Sequence, residues 1–147
     1  GGYTTAKKEI IEILRQRSRP YLFSNSLAPA IVGVSIKVFE LLETDTSLRD
    51  QLEWNTNYFK QGMLKAGFDI IDGDSAIVPV MLYDAKLAQT MANELLKNGV
   101  YVIGFFFPVV PKEKARIRVQ LSASHTKAHL DKALSTFEKV GKQLKVV

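Results

Sequence analysis

From Ala30 to Leu42 the chain is apolar on nearly every side of a helix: Ile31, Val32, Val34, Ile36, Val38, Phe39, Leu41 and Leu42 leave almost no wet face. Ser26 is a good N-cap for it, and Pro29 falls in its first turn. A helix of this kind has to be covered on several sides. The stretch therefore calls for more protein than the 147 residues supply, or for a second copy of them. It does not cross a bilayer, because no apolar run reaches the roughly 20 residues that a span needs.

The flanking sequence predicts ordinary amphipathic elements. Residues 6–17 carry Ile10, Ile13 and Leu14 on one helical face, with Thr5 as N-cap. Pro20 predicts an exit from helix near Ser18, and Tyr21-Leu22-Phe23 then reads as extended. A further helix starts at Asp45 or Thr46, turns Leu48, Leu52, Tyr58, Phe59, Met63 and Leu64 inward, and ends at Gly67. Asp72-Gly73-Asp74 is a turn. Residues 76–83 form a strand in which Pro79 calls for an edge position or a bulge. Asp84 caps a helix with the stripe Leu87, Ala88, Met91, Ala92, Leu95 and Leu96, closed by Asn98-Gly99. Residues 100–103 form a second strand, 104–114 are irregular, and 115–123 form a third strand with clean alternation. Thr126 caps the last helix, whose inner face begins at Leu130 and includes Phe137 and Val140. Strand, helix, strand, strand, helix is an α+β layer: a small sheet covered by helices on one side.

Composition removes several kinds of chemistry. With no cysteine there is no disulfide, no thiolate nucleophile and no cysteine-ligated zinc. The net charge of +5 is spread out. Arg15, Arg17 and Arg19 form its densest group, and Lys139, Lys142 and Lys145 line one side of the last helix. These read as solvated helix faces and not as a nucleic-acid surface. His125 and His129 stand four apart, but His125 lies at or before the helix start and no third ligand is evident, so no metal site is expected. No nucleophile elbow, phosphate loop or dinucleotide fingerprint occurs. Gly1-Gly2-Tyr3 carries no leader pattern and starts abruptly, as a piece of something longer would.

Three features can carry function. In the third strand Ala115, Ile117, Val119, Leu121 and Ala123 share one face, while Arg116, Arg118, Gln120 and Ser122 share the other. A guanidinium on a rigid strand can grip a carboxylate through two parallel hydrogen bonds. Spacing alone leaves a second reading open, two arginines on a wet sheet face. The segment Gly104 to Pro111, with three phenylalanines and two prolines, is either a binding loop or packing against a neighbouring domain. Ser24-Asn25-Ser26 is either simple helix capping or an anion site at a helix mouth.

The stretch from Arg15 to Pro29, and Tyr101 to Ser122 with its Phe-Pro-Val-Val-Pro and Ala-Arg-Ile-Arg core, closely resembles the α-oxoamine synthases, a family of pyridoxal-phosphate-dependent transferases of the aspartate-aminotransferase type. Ser24-Asn25-Ser26 favours the glycine C-acetyltransferase branch over the 8-amino-7-oxononanoate and 5-aminolevulinate branches, which tend to carry Ser-Thr-Ser or Thr-Thr-Ser there. The resemblance covers the whole chain and implies the C-terminal part of such an enzyme. Residues 1–25 would end the large cofactor-binding domain, 26–44 would be a linking helix, and 45–147 would be the small C-terminal domain with an antiparallel-rich sheet. It implies pyridoxal phosphate as cofactor and a cytoplasmic homodimer (mitochondrial in a eukaryote), with no nucleic acid or membrane as partner. The implied reaction joins glycine and acetyl-CoA to give 2-amino-3-ketobutyrate and CoA, with the reverse cleavage in threonine breakdown. The cofactor acts as electron sink for a carbanion formed from glycine. The family's Schiff-base lysine lies a few residues before the Gly-Gly-Tyr motif. Lys7 and Lys8 follow that motif and do not replace it, so the chain by itself is expected to be inactive. Residue by residue, Arg118 matches the position that pairs with the substrate carboxylate. Ser24 and Asn25 match positions that reach the cofactor phosphate, and Phe23 lines the same pocket. The remaining alternatives are another α-oxoamine synthase, or a binding module derived from the fold that does no chemistry.

Overall fold

The computed structural model describes residues 2–23 and 26–147, which divide into two compact units, 1–46 and 47–147. Among the described residues no helix is long and apolar enough to cross a membrane.

The first unit consists of helices α1 (Lys8–Arg17), α2 (Arg19–Phe23) and α3 (Pro29–Thr44). It departs from the sequence reading in three places. Helix α1 starts after Lys7 with no side-chain cap, so Thr5 does not cap it. Tyr21-Leu22-Phe23 is helical, not extended. Pro20 is the cause of that error: its fixed φ breaks α1 at Ser18, but it suits the first turn of a new helix. Helix α3 begins at Pro29 behind Ala28 rather than at Ser26, because a proline at the first helical position needs no N–H. No described residue of this unit is buried, and α3 exposes Ile31, Val34, Ile36, Phe39 and Leu41. Tyr3 meets Phe39 edge-on at 6.1 Å.

The second unit contains α4 (Ser47–Lys65), β1 (Ile77–Tyr83), α5 (Ala85–Lys97), β2 (Ile103–Phe105), β3 (Ala115–Gln120) and α6 (Lys127–Gln143). Its three strands are antiparallel in the order β1-β3-β2, so the architecture is the α+β layer predicted from the alternation. Val78 pairs with Val119 and Val80 with Ile117, which sets both strands' apolar rows on one face. Against that face pack Phe59 and Met63 of α4, Met91 and Leu95 of α5, and Leu130, Phe137 and Val140 of α6. Phe137 meets the edges of Phe59 and Phe68, both at 6.0 Å. Leu48, Leu64 and Leu96, predicted inward, are exposed: each helix covers the sheet along a narrower stripe than its apolar residues span.

Pro79 sits on the edge strand β1, as its missing donor requires. Its carbonyl accepts from the Ile71 N–H at 3.1 Å, so its backbone polar groups point away from β3. The strand ends in a bulge after Met81 and a tight turn at Tyr83, where φ is 65° and the Asp84 N–H donates to the Leu82 carbonyl at 2.7 Å. The Tyr83 hydroxyl donates to Asp69, which raises its pKa and anchors the strained residue. Asp84 then caps α5, accepting from the Leu87 N–H at 2.7 Å. Gly67 and Gly99, at φ 91° and 83°, end α4 and α5. The second strand lies further along the chain than residues 100–103. At Gly104 a Cβ would stand 3.1 Å from the Ala88 carbonyl oxygen, so the missing side chain lets the strand lie a few tenths of an ångström closer to α5.

Candidate functional site

The helix-free face of the sheet holds the candidate site. Arg116 and Arg118 alternate with the buried row of β3 and stand on this face, Arg116 half-buried and Arg118 exposed. The two are held differently. The Arg116 Nε–H donates to the Lys114 carbonyl at 3.0 Å. The Arg118 side chain carries no hydrogen bond or ion pair among the described residues, and its Cζ lies 4.4 Å from the centre of the Phe105 ring.

Beside Arg118 the sheet opens. The short strand β2 covers β3 only as far as Arg118, so Val119 to Leu121 run past a segment, 100–102, that has left the ladder. The gap is a cleft of about 720 Å³ whose apolar lining includes Val102, Val119 and Ala133. Its lining includes Arg118, Gln120, His125, His129 and Lys132, and among the described residues no carboxylate lines it. Chemically it suits an anion with an apolar part.

The two histidines have structural roles. His125 Nδ1 accepts from the Ser122 N–H at 3.2 Å, which holds the corner between β3 and α6. His129 Nδ1 accepts from the Thr126 N–H at 3.3 Å, completing a capping box at the start of α6. Sequence reasoning found the Thr126 cap but missed His129, because that motif ordinarily carries Glu or Gln at this place. With each Nδ1 facing a backbone N–H, only the Nε2 atoms are left to face the cleft. Among the described residues no group of three His, Asp or Glu side chains could hold a metal.

The positions matched to a cofactor fare otherwise. Ser24 and Asn25 lie outside the described residues. Phe23 is 80% exposed at the end of α2. Lys60, with a side chain only 12% exposed, is committed to Asp72 at 3.2 Å and to the Gly73 carbonyl. That contact and the Gly73 N–H together hold the Asp72 carboxyl below its ordinary range, the backbone bond contributing most. The described residues do not by themselves assemble a pyridoxal-phosphate cradle. The loop beyond β2 exposes Phe107 and Val109, with the Lys112 ammonium 5.5 Å from the Phe107 ring centre.

Comparison with known proteins agrees with this architecture. The chain is 58% identical over all its 147 residues to 2-amino-3-ketobutyrate coenzyme A ligase of Escherichia coli K12, covering 37% of that protein. It is 46% identical over the same length to 8-amino-7-oxononanoate synthase of Thermosipho melanesiensis, covering 38% of it. A high-resolution structure of SPT with PLP internal aldimine superposes with a TM-score of 0.86 at 31% identity, over 97% of this chain and 36% of that one. The chain thus spans well under half the length of the relatives it matches. The model of aminotransferase class I and II matches residues 1–137, and the chain belongs to that family.

Proposed function

We propose that the whole protein carrying this chain is a pyridoxal-phosphate-dependent acyltransferase that condenses glycine with acetyl-CoA to 2-amino-3-ketobutyrate and CoA, and runs in reverse in threonine degradation. The observation that carries this is Arg118: a guanidinium fixed on a strand, uncommitted to any hydrogen bond, in the lining of a cleft where no carboxylate stands among the described residues. Such a group binds a small carboxylate through two parallel N–H···O bonds and sets the amino acid's orientation. The cofactor, when bound, supplies an electron sink for charge developing at the glycine α-carbon. The described residues hold the substrate and border its cleft. Phe23, Ser24 and Asn25 are assigned to the cofactor side through the family resemblance. In this reading residues 1–25 close the large domain, 26–44 link the domains, and 45–147 form the small domain. The exposed apolar residues of α3 support an assembly in which a homodimer covers them.

The test is turnover of glycine by the full-length protein with a panel of acyl-CoAs. Acetyl-CoA should be preferred, and Arg118→Ala should raise the glycine KM by about ten- to hundredfold, the range for a lost charge-assisted pair. An unchanged glycine KM in that variant removes the assignment. The 46% identity to 8-amino-7-oxononanoate synthase favours one second reading, a different amino acid and a longer acyl chain. The same panel separates the two.

A further inference from the structure

The two arginines of β3 share a face and a strand, yet only one keeps all its donors. Arg116 spends its Nε–H on the Lys114 carbonyl. Arg118 is held by a ring instead. The register pairs Ile103 with Arg118 and Phe105 with Arg116, which places Phe105 diagonal to Arg118 on the open face. The ring centre then lies 4.4 Å from the guanidinium carbon.

A cation–π contact differs in kind from a hydrogen bond to an oxygen. The five N–H donors of arginine lie in the guanidinium plane. A ring this close to the guanidinium limits the side chain's rotation and takes none of these donors as an oxygen acceptor would. The ring itself is well placed to act this way. Phe105 is half-buried and follows Gly104, where an added Cβ would stand 3.1 Å from the Ala88 carbonyl oxygen. The strand bearing the ring therefore packs closely on α5.

We propose that Phe105 is a positioning residue for the carboxylate anchor: its ring orders the Arg118 guanidinium while leaving both donors of a carboxylate fork free. This rests on the reading of Arg118 given above. It adds a requirement that the reading alone does not make, an aromatic side chain at position 105.

The test uses the full-length enzyme with Phe105→Leu, Phe105→Tyr and Arg118→Lys. Loss of a cation–π contact at a partly exposed site should raise the glycine KM about three- to tenfold in Phe105→Leu. Its kcat should stay within about twofold of the parent, as expected for lost binding that ground and transition states share. Phe105→Tyr, which keeps the ring, should restore the parent KM. An independent readout is the Arg118 Nε–H proton resonance. The ring current should shift it upfield in the parent and in Phe105→Tyr, and it should return toward the free-arginine position in Phe105→Leu. If Arg118→Lys leaves the glycine KM unchanged, the anchor reading falls and this proposal with it. If Arg118→Lys raises that KM while Phe105→Leu does not, or if Phe105→Leu lowers kcat alone, the anchor stands and the role of Phe105 is overturned.

Discussion

The two units of this chain have similar apolar content and opposite uses for it. In residues 47–147 the large apolar side chains meet one another: Phe59, Met63, Met91, Ile117 and Phe137 are fully buried. In residues 1–46 no described side chain is buried, although α3 is the most continuously apolar helix of the chain. The difference lies in geometry. An apolar row on one face of a sheet can be closed by three helices from the same unit, whereas a helix apolar all round offers more surface than its neighbours in the unit cover. The second unit therefore buries a core of its own, and the first leaves its apolar residues exposed.

The largest test of that contrast is a pair of phenylalanines. Phe137 lies at the centre of the core with its ring against Phe59 and Phe68, so Phe137→Ala should cost about 3–5 kcal/mol. Phe39, 48% exposed on α3, has the Tyr3 ring edge-on at 6.1 Å. Phe39→Ala in the same 147-residue chain should cost less than about 1 kcal/mol. Chemical denaturation of both variants checks this, and a large loss in Phe39→Ala breaks the contrast. In the full-length protein the order should change, with Phe39→Ala weakening self-association measured by sedimentation.

Two glycines sharpen the contrast with a single kind of substitution. Gly141 lies in α6, where an added methyl would stand 2.6 Å from Phe68 Cζ and 2.9 Å from Val147 Cγ2. The Phe68 ring is itself locked against Phe137, so Gly141→Ala should destabilise by about 1–3 kcal/mol through overpacking. Gly33 lies inside α3 with nothing within 4 Å of the added atom. Gly33→Ala should strengthen that helix by about 0.5–1 kcal/mol. Thermal melts by circular dichroism, with hydrogen exchange to separate the units, read the two signs directly. Equal signs would mean that α3 is already packed in this chain.

The same division governs how much was legible beforehand. The second unit followed from local rules that agree with its packing. The alternation of 115–121 set the buried face, Pro79 set the edge strand, and Asp84, Gly67 and Gly99 set helix ends. Errors clustered where the chain's answer depended on a neighbour. The position of β2 goes with a close approach of Gly104 to Ala88, which no apolar pattern records. Leu48 and Leu64 look like core residues in periodicity, but no element covers them. In the first unit, Pro20 both ends a helix and opens one, and only the second effect was missed. At the site, alternation put Arg116 and Arg118 on the open face, and the family resemblance singled out Arg118. The partnership with Phe105 was not legible, because cross-strand neighbours depend on a register that the sequence does not print.

The smallest effect concerns charge at the seam between α4 and α6. Asp131 accepts from the Tyr58 hydroxyl at 2.5 Å and from the Lys127 ammonium at 2.7 Å, and that ammonium lies 4.9 Å from the Tyr58 ring centre. The Lys127 hydrogen bond, then that of Tyr58, holds the Asp131 carboxyl below its ordinary 3.8. The Lys127 ammonium is pushed up to about 12, chiefly by Asp131. A depressed carboxyl pKa gives stability that is present above the unfolded value, about 3.9, and lost as pH falls through the folded one. A raised ammonium pKa gives stability present below 10.5 and lost as pH rises through about 12. The tie is therefore whole between about pH 4 and pH 10 and fades at both ends. Asp131→Asn should lower stability by a constant small amount between pH 5 and 9, and the difference should vanish as the solution is acidified further. The exposed Lys8–Glu12 pair of the first unit stands at 3.8 Å, and Glu12→Gln should change nothing measurable. Added salt separates the two parts of the seam. It should erase most of the Lys127 share, because solvent reaches that pair, and leave the share that Tyr58→Phe removes. A difference that persists unchanged at low pH would show that residue 131 acts through shape rather than charge, and the seam would then belong with the core as a packing feature.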